Sequence, residues 1–116
     1  MTEQKTRKKS ALVVDDNEDG RTAMSMSLEL RGYNVTTIYS YNLDYNHEGY
    51  KKRHFDLAII NILSRYYLET YKDIDAQRKI IFSCYEPVVD EAKQKGLEAY
   101  LMPVKDLSKI LNQGEK

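Results

Sequence analysis

One cysteine, Cys84, stands in 116 residues, so no disulfide can close within the chain and a disulfide scaffold is excluded. Tryptophan is absent. No apolar run comes near the ~20 residues that a membrane-spanning helix needs. Excess charge of either sign is missing too. Lys+Arg and Asp+Glu both number 18, which argues against a general binder of nucleic acid or of membrane surfaces. The opening residues, MTEQKTRKKS, are polar and lead into no long apolar stretch, so nothing there resembles a signal peptide. Internal repeats and low-complexity segments are lacking, and no helix-turn-helix fits. What remains is expected to be one soluble cytoplasmic domain. Its length suffices to bury a core without disulfides or metal, since domains most often run to about 100–150 residues.

Residues 1–9 carry Lys5, Arg7, Lys8 and Lys9 and read as a basic, solvated arm ahead of a domain at 10–116. Contact of that arm with an acidic partner is the alternative. Residues 10–14 (SALVV) form an apolar run halted by Asp15 and Asp16, the pattern of a buried parallel strand. Asp16 or Asn17 can cap a following helix, with Glu18 and Asp19 near the positive end of its dipole. Met24 and Leu28 give that helix a core face, and Gly32 marks its end. Residues 33–39 (YNVTTIY) are β-branched and aromatic and predict a second strand. Residues 42–54 are polar, with room for a short helix. Residues 56–62 form the clearest strand. Leu68, Tyr71 and Ile74 recur at helical spacing within 65–77. Residues 79–83 (KIIFS) read as a fourth strand, followed by a helix with Pro87 in its first turn and Gly96 at its end. A fifth strand at 99–102 and a last helix at 106–111 complete five βα units. Crossover helices between buried strands imply a doubly wound, flavodoxin-like α/β domain, a parallel sheet covered on both faces. The crevice of such a sheet lies at the carboxyl ends of its strands. That singles out Asp15, Asp16, Asn61, Ser83 and residues 100–103.

LVVDDNEDGR, RGYNV, FDLAIIN, KIIFS and KGLEAYLMPV resemble, in order and over nearly the whole chain after residue 10, a response-regulator receiver domain, the CheY-like phosphoacceptor family. The resemblance implies strand order 2-1-3-4-5. It also implies an acid pair that binds Mg²⁺, an Asp ending strand 3 that a histidine kinase phosphorylates, and a Ser or Thr after strand 4. A switch aromatic and a Lys before a Pro follow on strand 5. Position by position, Asp15 and Asp16 match the acid pair, Ser83 the hydroxyl, Tyr100 the switch aromatic and Pro103 the proline. The phosphoacceptor position holds Asn61, and the lysine position holds Met102. The segment from Gly96 to Pro103 is about one residue short of the family pattern, so Tyr100 and Met102 do not both align without a gap. Lys105 lies two residues past Pro103, where folding back would bring its ammonium towards the site. The stretch between Asn61 and Ser83 is also shorter than the family norm.

A carboxamide nitrogen has no nucleophilic lone pair and its oxygen is uncharged, so Asn61 is not expected to accept a phosphoryl group. It either mimics one state of the switch through hydrogen bonds or is a polar relic satisfied by water. Asp15, Asp16 and the Asn61 oxygen form at best a weak Mg²⁺ site; the competing expectation is that Asp16 caps the helix and Asp15 is bonded locally. Cys84 reads as a small buried apolar residue, and His47 and His54 as exposed. The ten tyrosines suit either an interface or the edges of the sheet.

The expectation is a non-enzymatic pseudo-receiver with no obligate cofactor. It would recognise a signalling or regulatory protein through 86–95, 99–102 and 106–111, with a homodimer as one possibility and no direct contact with nucleic acid or membrane. Two alternatives stand beside it. One is a conventional receiver phosphorylated at another site. The other is a small-ligand module, against which DDNEDG argues because it would repel phosphate where a glycine-rich loop would bind it.

Overall fold

Residues 8–38, 53–61 and 67–113 are described in the computed structural model of the chain. Along them run β1 (Lys9–Asp15), α1 (Glu18–Leu30), β2 (Tyr33–Ile38), β3 (His54–Asn61), α2 (Tyr67–Asp73), β4 (Asp75–Ser83), α3 (Glu86–Gln94), β5 (Ala99–Leu101) and α4 (Leu107–Asn112). Every strand pair is parallel, and the sheet runs in the order β2-β1-β3-β4-β5. That is the order anticipated, with four helices among the described residues. The expected short helix at 42–54 falls mostly outside them, as do His47, Tyr39, Tyr41, Tyr45, Tyr50, Ile62 and Tyr66.

Alternation along the strands divides the core in two, except at Phe55, which lies on the face opposite to Leu57. Leu12, Val14, Phe55, Ala58, Ile60 and Ile81 face α2 and α3, meeting Tyr67, Val88, Val89 and Ala92. Ala11, Val13, Leu57, Ile59, Ile80 and Phe82 face α1 and α4, meeting Met24, Leu28, Ile110 and Leu111. β3 is buried on both faces because β1 and β4 flank it and helices cover it above and below.

Local chemistry sets the helix ends. Asn17 caps α1, its Oδ1 accepting from the Gly20 N–H at 2.8 Å, so the cap is Asn17 rather than Asp16. Gly32, at φ +94°, takes the left-handed turn after α1, and Gly96, at φ +81°, does the same after α3. Asp106 caps α4 by accepting from the Lys109 N–H at 3.0 Å.

The structure corrects four boundaries. Lys9, assigned above to the arm, opens β1 opposite Tyr33. β3 begins at His54, which is exposed and places Nδ1 3.0 Å from Asp75 Oδ1. The helix expected over 65–77 ends at Asp73, and β4 starts at Asp75 instead of Lys79. Pairing of Asp75 with His54 and of Ala76 with Phe55 outweighs the helical spacing of Leu68, Tyr71 and Ile74, a tertiary override of local periodicity. Ile74 is buried in the link between the two elements.

Tyr67 is fully buried in the face under α2 and α3, and its hydroxyl donates to Glu91 Oε1 at 2.6 Å. Burial, the Glu91 hydrogen bond and its negative charge all push that hydroxyl above its usual pKa. Tyr33, Tyr71 and Tyr100 also pack against the core, whereas Tyr85 is exposed. Most tyrosines described here therefore serve the core of the sheet. Tyr67→Phe should cost about 1 kcal/mol in urea unfolding, the typical net worth of one hydrogen bond. Tyr67→Ala should cost about 3–5 kcal/mol, as for other large-to-small aromatic deletions.

Candidate functional site at the carboxyl mouth of the sheet

The parallel register of β1 and β3 puts Asp15 directly opposite Asn61. Alternation carries both onto the face that α1 covers: Val13 and Ile59, two residues earlier on each strand, lie in that cluster. The two residues are therefore brought together, as expected. Their chemistry is that of an enclosed pair. Asp15 is 3 % exposed. Its Oδ1 accepts from the Asn17 N–H at 2.9 Å, and the Asn61 side chain acts as a further hydrogen-bond donor to the carboxyl. On the other side α1 passes so close that a Cβ on Gly20 would lie 2.6 Å from Asp15 Oδ2. Only glycine leaves room for the carboxylate there.

Burial prevails in the electrostatics around Asp15. Burial raises its pKa above the usual carboxylate value; the Asn17 N–H opposes this, Asp16 adds to the rise, and Arg21 and Asn61 pull it back. Arg21 reaches over from the first turns of α1 and donates from Nη1 to the Asp15 carbonyl at 2.9 Å. Gly20 and Arg21 stand in the quoted LVVDDNEDGR, but their roles at Asp15 were not anticipated from the sequence, although both follow closely on the acid pair. That spacing is the signal that marks a helix packed directly on the acids.

Mg²⁺ prefers octahedral oxygen ligands and keeps several waters, so a site for it must leave carboxylate oxygens open to solvent. Asp15 does not: one oxygen is taken by a backbone N–H and the other is wedged against α1. No group of three His, Cys, Asp or Glu among the described residues could hold a metal ion. Enclosure of Asp15 leaves half-exposed Asp16 as the one open carboxylate of the weak site expected from Asp15, Asp16 and the Asn61 oxygen.

The other expected residues are dispersed. Ser83 ends β4, fully buried, and its Oγ accepts from the Tyr85 N–H at 3.0 Å, shaping the turn into α3. It follows Ile81 onto the α2–α3 face, whereas Phe82 and Tyr100 pair with each other on the opposite face. Ser83 and Tyr100 thus lie on opposite sides of the sheet. The Tyr100 ring sits 5.7 Å from that of Phe82, and its hydroxyl donates to Glu98 Oε2 at 2.8 Å. Met102 donates its backbone N–H to the Ser83 carbonyl at 2.8 Å and packs its side chain into the α1–α4 face. The bond from Met102 to exposed Pro103 is cis. Lys105 does not fold back to Asp15. It lines a 420 Å³ cleft with Ser27, Leu30 and Arg31, at the far end of α1. Cys84 is exposed, contrary to its reading as a buried apolar residue.

One polar group near Tyr100 was not visible in the sequence. Arg78 on β4 forks onto Glu98, with Nε to Oε1 at 3.0 Å and Nη2 to Oε2 at 2.6 Å. Burial raises the Glu98 carboxyl, but the Arg78 and Tyr100 hydrogen bonds and the Arg78 charge outweigh it and hold the pKa below its usual value.

A five-stranded parallel sheet in the order 2-1-3-4-5, with acids at its carboxyl mouth, is the flavodoxin-like fold of CheY-like response-regulator receivers. Similar solved structures include a response regulator from Burkholderia pseudomallei bearing a phosphorylated aspartic acid and a calcium ion (TM-score 0.66, 23% identity), in which 90% of this chain covers 65% of that one. The response regulator TrrA from Thermotoga maritima, in complex with Mg²⁺-BeF, gives TM-score 0.66 at 20% identity, over 91% of this chain and 96% of that one. A CheY-like receiver domain protein from Methanospirillum hungatei JF-1 gives 0.67 at 22%, over 93% and 94%. At these identities the likeness is one of fold. No protein-family model and no curated protein matches the sequence. No helix among the described residues is long and apolar enough to cross a membrane.

Asn61→Asp places a second acid against a buried one and removes a donor. It should lower stability by about 1–3 kcal/mol at pH 7 in urea unfolding, with the loss shrinking as the pH falls and the added acid protonates. Glu98 supplies a separate pH signature. Because its folded pKa is lowered, its stabilisation is complete above the ordinary glutamate value of about 4.3 and is lost as pH falls through the lower folded value. Glu98→Gln should flatten the acid limb of stability against pH between the ordinary glutamate value and the lower folded one.

Proposed function

We propose that this chain is a receiver-like signalling module that works without aspartyl phosphorylation and acts by recognising another protein. The observation that carries the reading is Asn61 at the carboxyl end of β3, opposite Asp15. Aspartyl phosphorylation needs a carboxylate nucleophile and cations that neutralise the charge developing on the phosphoryl oxygens. Asn61 offers a carboxamide. Asp15 is enclosed, and at the strand-5 position that the receiver resemblance gives to lysine, Met102 supplies an apolar side chain partly buried against the core.

The surface proposed for recognition is built by α3, β5 and α4. Tyr85 at 55% exposure and Leu101 at 43% lie on it, two of the few large apolar side chains exposed among the described residues. Apolar anchors within a charged rim suit a protein partner. Glu86, Asp90 and Lys93 of α3, with Lys95 at its C-cap, supply the rim.

Incubation with acetyl phosphate and Mg²⁺, followed by intact mass measurement, tests the chemistry. The expected spectrum shows the unmodified mass alone. A stoichiometric phosphoryl adduct that is lost in alkali would overturn the reading.

A further inference from the structure

β5 has three residues and α4 six. Neither length sustains itself: isolated helices shorter than about 12–15 residues are marginal in water. Apolar packing contributes to holding them, since Ile110 and Leu111 are buried and Tyr100 and Leu107 pack beside them. Arg31 adds hydrogen bonds from α1 to Ser108 and Asn112, but these are exposed and compete with water.

The half-buried polar anchoring converges on Arg78. Besides its fork onto Glu98, Nη2 donates to the Ile110 carbonyl at 2.8 Å and Nη1 to the Leu111 carbonyl at 3.2 Å. Both carbonyls belong to the last turn of α4, where backbone acceptors lack intrahelical partners and a cation is favoured by the helix dipole. Arg78 is thus bonded on both sides, to the residue preceding β5 and to the end of α4. It sits on β4, opposite Leu57 of the doubly buried β3, so the contact references both short elements to the centre of the sheet. Glu98 in turn accepts from Tyr100, whose ring rests against Phe82. Turning Tyr100 out of this pocket would break its bond to Glu98 and expose a packed ring.

We infer that Arg78 and Glu98 form a lock that holds β5, Tyr100 and α4 in one arrangement, so the surface they build is presented constitutively. That this surface docks a partner rests on the function proposed above; the lock does not. In a protein with no phosphoryl group to report, a fixed surface replaces a switched one, and any regulation then acts on access to the surface.

Amide hydrogen exchange on the full chain without a partner tests the lock, comparing wild type with Glu98→Gln and Arg78→Lys. Glu98→Gln keeps the volume and removes the charge. An ammonium cannot bridge the carboxylate and two carbonyls as the planar guanidinium does. Both variants should exchange at least ten-fold faster at residues 99–101 and 107–112, with residues 11–14 and 57–60 unchanged. The Tyr100 ring should give a single set of NMR signals in wild type and broadened or doubled signals in Glu98→Gln. Exchange that is unaltered, or accelerated equally across the sheet, would overturn the inference. Two sets of Tyr100 signals in wild type would do the same. If Arg78→Lys does not fold, Glu98→Gln alone decides. Because no partner is present, a failure of partner recognition leaves this outcome unaffected.

Discussion

Burial of β3 on both faces is the constraint from which the rest of the molecule follows. Phe55 and residues 57–60 have no more than a trace of exposure, and satisfying their backbone groups requires a paired strand on each side. β1 and β4 supply those pairs in parallel, and parallel pairing demands crossover connections that cover both faces. The register that buries Ile59 and Ile60 also delivers the next residue, Asn61, to the level of Asp15. The same packing that stabilises the sheet thus assembles the mouth of the domain.

At that mouth the interactions are turned inward. In a phosphate-binding site donors and cations converge on an open point where charge arrives. Here the Asn17 N–H, the Asn61 amide and the Arg21 guanidinium converge on Asp15 itself, and Gly20 lets α1 close over it. These groups offset one buried carboxylate rather than an incoming ligand. The opposite end of the same logic operates at Arg78, where a half-buried cation is matched by Glu98 and by two helix carbonyls.

How much of this was legible in the sequence depends on how local the cause was. Continuous apolar runs marked the strands, because burial on both faces leaves no alternation to misread; their order in the sheet came from the family resemblance. Gly32 and Gly96 marked two helix ends through backbone requirements confined to a turn. The mismatch at Asn61 needed only the strand and its end. What escaped was non-local. The start of β4 was hidden because Ile74 continues a helical spacing while Asp75 and Ala76 gain strand partners some twenty residues away. Arg78 with Glu98, and Tyr67 with Glu91, join residues 20 and 24 apart, and no periodicity links them. Tyr100 shows the same limit. Its matching to the switch aromatic gives no hint that it lies across the sheet from Ser83, which depends on the β4–β5 register.

The claim that the mouth is a closed pair is tested most directly by recording ¹H–¹⁵N spectra of the folded chain while Mg²⁺ and beryllofluoride are added together. The Asn61 side-chain amide and the backbone amides of Asp15, Asp16 and Asn17 should stay in place throughout the titration. Saturable shifts confined to these groups would show an open acceptor site and contradict the account.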